Sequence, residues 1–138
     1  MESIIKNAIK RGERPEHFML IKPIDYPVAA AVQCKQVAYT KDALRIQEVG
    51  NDIYLPVIYF PPEDVCMNML IPSTKKTECP LKGVTTYFDV ICDGTTYANA
   101  AWSYVDIYSF DERLTLLKDK VAFDTRYVQL SEFSTLVR

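Results

Sequence analysis

Histidine and paired cysteines, the usual marks of a metal site, are almost missing from this sequence. The only histidine is His17, and the four cysteines, Cys34, Cys66, Cys79 and Cys92, form no C-x-x-C pair. A zinc site usually shows paired ligands at close spacing. We therefore predict no metal site and no cofactor. Because no secretory signal precedes these cysteines, reduced thiols in the cytoplasm are the simplest state, and we expect a cytoplasmic location.

Glycine is also scarce, and its positions exclude a phosphate-binding loop. The four glycines are Gly12, Gly50, Gly83 and Gly94. None lies in a G-x-x-x-x-G-K-[ST] array, in which backbone amides cradle phosphate. The sequence therefore gives no motif for binding a nucleoside triphosphate.

The chain has neither an excess of positive charge nor a long apolar run. Its formal net charge is -2, whereas a nucleic-acid-binding domain usually carries a basic stripe. Its apolar runs are far shorter than the ~18 residues that suggest a membrane-spanning helix. We therefore predict no nucleic-acid partner and no membrane partner.

What the sequence does contain is enough apolar residues for one folded core. Hydrophobic residues make up 49% of the 138 residues, which suits a single globular domain. We predict a β-rich domain over residues 15–138 after a helical extension over residues 1–14. The helix is predicted because apolar residues recur at helical spacing between residues 4 and 9, and it would end at Gly12.

Strand-like runs dominate the remainder of the chain. Residues 28–60 are rich in Val, Ala, Tyr and Ile, and Asp93-Gly94 joins two further β-rich runs. An Asp-Gly pair is typical of the type I′ turn of a tight hairpin. Short helices are predicted after Pro61 and after Ser109, where Glu112 would complete a capping box. The fold class is therefore mainly β: a compact antiparallel domain, barrel-like or tent-like, with short helices.

A series of short motifs runs through the second half of the chain. It comprises Tyr59-Phe60-Pro61, Asp64-Val65, Thr77-x-Cys79-Pro80-x-Lys82-Gly83, Tyr87, Asn99-Ala100-Ala101-Trp102-Ser103-Tyr104 and Val121-Ala122-Phe123. The series resembles the domain-of-unknown-function 427 family, sometimes labelled nucleotidyltransferase-like, from about Val32 to Val128. The resemblance implies a compact all-β domain, similar to tent-like or small-barrel folds such as methionine sulfoxide reductase B and the thalidomide-binding domain of cereblon. It implies no established activity.

The chain departs from the family pattern at three positions. Leu81 stands where an aromatic residue is usual, Thr85 where a small residue is usual, and Ile107 where proline is frequent. The nucleotidyltransferase label also lacks support from the residues. Polymerase-like transferases hold Mg²⁺ with two or three carboxylates, and no Asp-x-Asp pair follows a Gly-Ser turn here.

The Cys79-Pro80-x-Lys82-Gly83 segment has a structural and a functional interpretation. As structure, it is a rigid turn in which Gly83 supplies an unusual backbone angle or a close approach, with a buried thiol and a solvated lysine. As a site, Lys82 lines a pocket and favours the thiolate of Cys79. The second interpretation lacks a general base, because His17 falls in a segment expected to be irregular.

The remaining candidate site residues are aromatic and polar side chains in the same motifs. Trp102 and Tyr104 are two positions apart on a strand, so they share a face, and Asn99 is predicted on the opposite face. The aromatic residues either pack in the core or stack on a planar ligand. The full set of ligand-binding candidates is Arg45, Glu48, Asp64, Cys79, Lys82, Tyr87, Asn99, Trp102 and Tyr104.

Three functions remain open at this level. The first is a domain that binds a small molecule in a pocket near Lys82 and Trp102. The second is a protein-interaction or structural module, such as a homodimer formed through the N-terminal helix or through an exposed strand edge near Pro56. The third is a thiol-dependent or nucleotide-handling enzyme, for which no complete catalytic constellation can be read.

Overall fold

The computed structural model of the chain describes residues 8–12, 14–50, 52 and 54–134. The first seven residues of the predicted N-terminal helix lie outside this range. The prediction of its last turn is wrong, because Ile9–Arg11 forms a β-strand. This strand pairs with the next one, and Ile9 lies opposite Met19. That pairing buries Ile9, and the spacing of apolar residues within one segment does not show whether that segment has a sheet partner. The division of the chain at residue 14 stays a prediction.

Antiparallel strands make up most of the described chain, as the sequence predicts. They are β1 (Ile9–Arg11), β2 (Arg14–Pro23), β3 (Val28–Val32), β4 (Lys35–Thr40), β5 (Leu44–Val49), β6 (Val57–Tyr59), β7 (Leu70–Cys79), β8 (Gly83–Cys92), β9 (Thr95–Ile107), β10 (Val121–Phe123) and β11 (Gln129–Glu132). The mainly β fold class is therefore confirmed.

The strands of the described residues form three sheets. Their orders are β1-β2-β5-β6, β10-β9-β8-β7 and β11-β3-β4. A bridge between Phe60 and Val121 connects the first two sheets, with the amide of each residue donating to the carbonyl of the other at 2.7 and 2.8 Å. The bridge sets the end of β6 beside β10, and this brings the aromatic residues of β6 and β9 together.

The predicted hairpin is confirmed as the long β8–β9 pair. Asp93 and Gly94 both have positive φ angles, 48° and 80°, as a type I′ turn requires. Across the pair, Tyr87 lies opposite Trp102. The two rings therefore share one face of the sheet.

A bulge interrupts this hairpin at Asn99. Phe88 pairs with Ala101, but the next pair is Val90 with Tyr97, so β9 has extra residues there. Asn99 has a φ of 54°, a left-handed conformation that asparagine tolerates better than most residues. The backbone amide of Asn99 donates to the Asp89 carboxylate at 2.8 Å. The bulge changes the direction in which the Asn99 side chain points.

The helical segments are short 3₁₀ turns. They span Pro62–Asp64, Met67–Met69 and Glu112–Leu116. The predicted capping box at Ser109 is wrong, because the side chain of Asp111 accepts from the amide of Arg113 and caps the third turn. Leu114 and Leu117 are buried as predicted. No helix in the described part of the chain is long and apolar enough to cross a membrane.

Two clusters of buried side chains stabilise the sheets. The larger one fills the space between β3, β4 and the β8–β9 pair, and includes Phe60 and Phe123. The smaller one joins side chains of the first sheet to side chains of β9 and β10. It contains Ile9, Met19, Leu44, Ile46, Tyr59, Leu81, Tyr104, Leu114, Leu117 and Ala122. Trp102 packs against the smaller cluster, which therefore supports the site described next.

Candidate functional site

A cavity of about 410 Å³ opens beside Trp102 on the face of the β8–β9 pair. Its wall combines aromatic, charged and small side chains. They are Tyr59, Tyr87, Trp102, Tyr104, Lys75, Lys82, Asp124, Arg126, Val57, Ala98 and Asn99. Five of the candidates chosen from the sequence thus line one cavity: Lys82, Tyr87, Asn99, Trp102 and Tyr104.

The turn between β7 and β8 directs Lys82 inward. The Lys82 amide donates to the Cys79 carbonyl at 3.3 Å, and the Lys82 carbonyl accepts from the amide of Tyr108 at 3.0 Å. Gly83 follows with a φ of 136°, and a Cβ there would lie 2.2 Å from the Asp106 carbonyl oxygen. The structural role predicted for Gly83 is therefore confirmed in both of its forms. The predicted solvated lysine is wrong, because the side chain of Lys82 is only 7% exposed.

Beneath the cavity, Lys82 belongs to a buried polar network. Its ammonium forms an ion pair with Glu48 Oε1, and the other carboxylate oxygen of Glu48 lies 2.7 Å from His17 Nε2. His17 is buried on β2, two positions before Met19, which lies opposite Glu48. The expectation of an irregular segment around His17 is therefore wrong. Strand alternation puts His17 and Glu48 on the same face of the sheet.

The network favours the charged forms of both Lys82 and Glu48. Burial acts to lower the pKa of Lys82, but the groups around its ammonium outweigh this and raise the pKa above the ordinary value: Tyr59, Tyr104, Cys79 and Glu48. Burial acts to raise the pKa of Glu48, but the charge and hydrogen bond of Lys82 and the bond with His17 lower it. At neutral pH the site therefore holds an ammonium and a carboxylate.

The aromatic side chains of the cavity are held by contacts of their own. Trp102 Nε1 donates to the Tyr59 hydroxyl at 3.3 Å. The Tyr87 hydroxyl lies 3.1 Å from Thr77 Oγ1, and the ring centroids of Tyr87 and Trp102 are 6.4 Å apart. Burial raises the pKa values of Tyr59 and Tyr104, so both phenols are neutral at neutral pH. The Nζ atom of Lys75 lies 4.5 Å from the centroid of the Tyr87 ring.

Asn99 points into the cavity together with Trp102, so the prediction that the two occupy opposite faces is wrong. The bulge is the reason, because the positive φ of Asn99 breaks the simple alternation of β9. Asn99 Oδ1 accepts a hydrogen bond from Ser73 Oγ at 2.6 Å. This bond fixes the amide at the edge of the cavity.

Two other candidates support Lys82 from behind the cavity wall. Glu48 forms the ion pair described above, and Cys79 Sγ lies 3.6 Å from Lys82 Nζ. Cys79 is partly buried, and its thiol is free. A thiol beside an ammonium is the arrangement predicted for this segment, and a reactive role for Cys79 stays a prediction.

The last two candidates lie elsewhere. Arg45 and Glu48 lie on opposite faces of β5. Arg45 forms an ion pair with Glu132. Asp64 accepts a hydrogen bond from Thr40 Oγ1 at 2.7 Å and borders a separate, smaller cavity. The structure therefore does not bring Arg45 or Asp64 to the cavity of Lys82.

Sequence reasoning missed several residues of the site. Lys75, Asp124 and Arg126 line the cavity, and His17 bonds to Glu48. His17, Met19 and Ile21 recur at two-residue spacing along β2, so they share one face of the strand. Interpreting that segment as a strand was the signal that could have found His17. No comparable pattern surrounds the other three. Among the described residues, no group of three or more His, Cys, Asp or Glu side chains could hold a metal ion.

A comparison with known protein families gives a match over most of the chain. The family model described as Domain of unknown function (DUF427) matches residues 20–133, most of the chain. The match confirms the resemblance seen in the motifs around Lys82 and Trp102. No curated protein matches the chain.

Proposed function

The chain belongs to the DUF427 family, whose description names no activity, and we propose that this domain binds a small molecule in the cavity beside Trp102. The single observation that carries the proposal is the convergence of the Lys82 ammonium with aromatic walls at one cavity. Burying an ammonium in a fold is costly unless it is paired. A fold that positions a buried ammonium at a cavity floor has a ready contact for a ligand.

The size and composition of the cavity support this function. Cavities that bind small molecules usually measure about 300–1,000 Å³ and combine apolar or aromatic walls with a few polar groups. This cavity measures about 410 Å³ and has the rings of Tyr87 and Trp102 on its wall. Their cross-strand pairing holds the wall in place before any ligand arrives.

The chain itself supplies a reporter for the test. Trp102 is the only tryptophan, and it lines this cavity and a second one of about 280 Å³. Its fluorescence therefore reports binding at either, and variants of the first cavity are needed to tell the two apart. We suggest screening neutral aromatic compounds, aromatic acids, phosphate esters and aliphatic acids for changes in both Trp102 emission and Tm. A ligand of the native state must raise the Tm. We expect at least one class to change both signals with the same saturation curve.

A matched pair of variants tests whether a ligand binds in this cavity. Ala98→Phe fills the cavity from its wall, whereas Thr96→Phe adds the same ring at an exposed position of β9 outside the cavity lining. We expect Ala98→Phe to abolish binding and Thr96→Phe to retain it. The proposal fails if no compound class gives saturable binding, or if bound compounds keep their affinity in Ala98→Phe.

A further inference from the structure

The polar groups at the floor of the cavity are hydrogen-bond donors. From them we infer that the ligand carries an oxyanion, a carboxylate or a phosphate, seated on Lys82, Tyr59 and Tyr104. The inference rests on the proposed function and specifies its ligand class. It is carried by the hydrogen bonds of Lys82 and Tyr59 and by the position of Tyr104 in the cavity lining, because these show which protons are left for a ligand.

Lys82 has one N–H left for a ligand. An ammonium has three donors and no acceptor. One donates to Glu48 Oε1, and a second is directed at Cys79 Sγ, 3.6 Å away. Since Lys82 also lines the cavity, the third can reach an acceptor placed there.

Tyr59 also has a proton to donate. The indole N–H of Trp102 is only a donor, so the Tyr59 oxygen must be the acceptor of the bond from Trp102. No described residue accepts the proton of Tyr59 in a side-chain hydrogen bond. A buried hydroxyl that lines a cavity and keeps its own proton is complementary to an acceptor atom in that cavity.

Tyr104 completes the set in the same way. Thr85 lies opposite it on β8, and no described residue accepts the proton of the Tyr104 hydroxyl in a side-chain hydrogen bond. Burial is the largest influence on Tyr104 and raises its pKa. Tyr104 is therefore a neutral phenol with its proton available. Three donors at one floor select an atom group that only accepts hydrogen bonds, such as an oxyanion.

The charges around the cavity favour the same ligand class. Its lining includes three cations, Lys75, Lys82 and Arg126, against one anion, Asp124. Glu48 adds a second negative charge behind the wall. Asp89, bonded to the backbone of Asn99, adds a third. Cations therefore outnumber anions only among the side chains that line the cavity itself, and an anion bound there reduces this imbalance.

The aromatic wall indicates what the oxyanion is attached to. Tyr87 and Trp102 present neighbouring rings at the side of the cavity. Flat groups stack well on such rings. A planar ring bearing a carboxylate or phosphate would contact the wall and the floor together, and benzoate and phenyl phosphate are the simplest probes of this kind.

The test compares probes of equal shape and different charge. Benzoate, phenyl phosphate and neutral benzamide are titrated into the full chain, with acetate and inorganic phosphate as probes that lack the ring. We expect benzoate or phenyl phosphate to bind at least about tenfold more tightly than benzamide, because hydrogen bonds to charged groups are the stronger ones. The tighter of the two anions distinguishes a carboxylate ligand from a phosphate ligand.

Conservative variants connect this preference to the floor of the cavity. Tyr59→Phe and Tyr104→Phe each remove one hydroxyl and keep the ring, and we expect each to narrow the preference for the anion several-fold. Lys82→Met should abolish the preference, and the two tyrosine variants carry the test if that protein does not fold. Tyr97→Phe is the control, because its hydroxyl bonds to Gln33 away from the cavity lining.

The outcomes separate this inference from the function on which it rests. Benzamide binding as tightly as both anions, or an anion preference unchanged in both tyrosine variants, overturns the oxyanion assignment and leaves small-molecule binding in place. Absence of binding by every compound of the wider screen overturns both.

Discussion

Lys82 and Glu48 are 34 positions apart in the chain and form an ion pair beneath the cavity, where the two side chains are 7% and 16% exposed. The pair joins the turn before β8 to the end of β5, and therefore connects two sheets. Each partner is costly to bury alone. The pair thus makes the cavity floor depend on the packing of the whole domain.

Removing one partner of this pair is expected to destabilise the fold strongly. In Glu48→Gln the buried ammonium of Lys82 loses its counter-charge, and we expect the free energy of unfolding to fall by about 3 kcal/mol. Lys82→Met should cost a similar amount, because it leaves the Glu48 carboxylate with His17 alone. Urea denaturation measures both values.

The double variant Glu48→Leu with Lys82→Met is the control for this prediction. Replacing both charges with apolar groups removes the burial cost along with the attraction, so the double variant should recover most of the loss. The single variant Glu48→Leu completes the cycle. If the losses of Glu48→Leu and Lys82→Met add up strictly in the double variant, the pair contributes no coupling.

Acid should weaken the same ion pair. The pKa of Glu48 is lowered from its ordinary 4.5, chiefly by Lys82 acting against burial. The stability from the ionised form is therefore complete above about pH 4.5 and is lost as the pH falls through the lower pKa of the folded state. We expect the difference in unfolding free energy between wild type and Glu48→Gln to shrink below pH 4.5.

The comparison with Glu48→Gln is needed because other carboxyl groups also titrate there. The pKa values of Asp111, Asp124 and Glu132 are lowered too, chiefly by side-chain hydrogen bonds. These groups are present in both proteins and cancel in the difference. A difference that stays constant from pH 7 to pH 3 would contradict the prediction.

The fold could be predicted where the signal was local. Asp93-Gly94 determines its hairpin through its own backbone angles, and strand-like composition predicts the β class. The end of the N-terminal segment could not be predicted in this way. Ile9 is in a strand because Met19 pairs with it, and helical spacing of apolar residues does not reveal such a partner.

The site could be predicted as a group of motifs, with its details left open. Lys82, in the turn that leads into β8, and Trp102, on β9, meet at one cavity because β8 and β9 pair with each other. The predicted face of Asn99 was wrong because the bulge interrupts strand alternation at that residue. Arg45 was included because of its motif, yet its position on β5 directs it away from Glu48.

Gly83 should be the least replaceable glycine of the described chain. In Gly83→Ala the new Cβ would lie 2.2 Å from the Asp106 carbonyl oxygen, and the φ of 136° is unfavourable for alanine. Gly94→Ala has a φ of 80° with nothing within 4 Å of the new Cβ, so it isolates the cost of the backbone angle, about 1–2 kcal/mol. Thermal unfolding should show a clearly larger loss for Gly83→Ala.

Equal losses in the two glycine variants would contradict this prediction. Such a result would mean that the backbone of β9 moves away from residue 83 without cost. The close approach of residue 83 to Asp106 would then not be what makes glycine necessary in the turn that positions Lys82.

The bulge at Asn99 is expected to depend on a residue that accepts positive φ. Asn99→Gly should change the free energy of unfolding by about 1 kcal/mol or less, because glycine takes this angle freely and only the bond from Ser73 is lost. Asn99→Val should cost about 1–3 kcal/mol, since a β-branched side chain is poorly tolerated there.

Thr96→Val is the matched control for the bulge, because Thr96 is an exposed residue of the same strand in regular pairing with Ile91. Valine suits a regular strand, so this variant should be close to neutral in urea denaturation. If valine is equally harmless at both positions, the bulge is not required by the fold. Asn99 could then revert to the alternating face, and the cavity would lose its amide while keeping its aromatic wall.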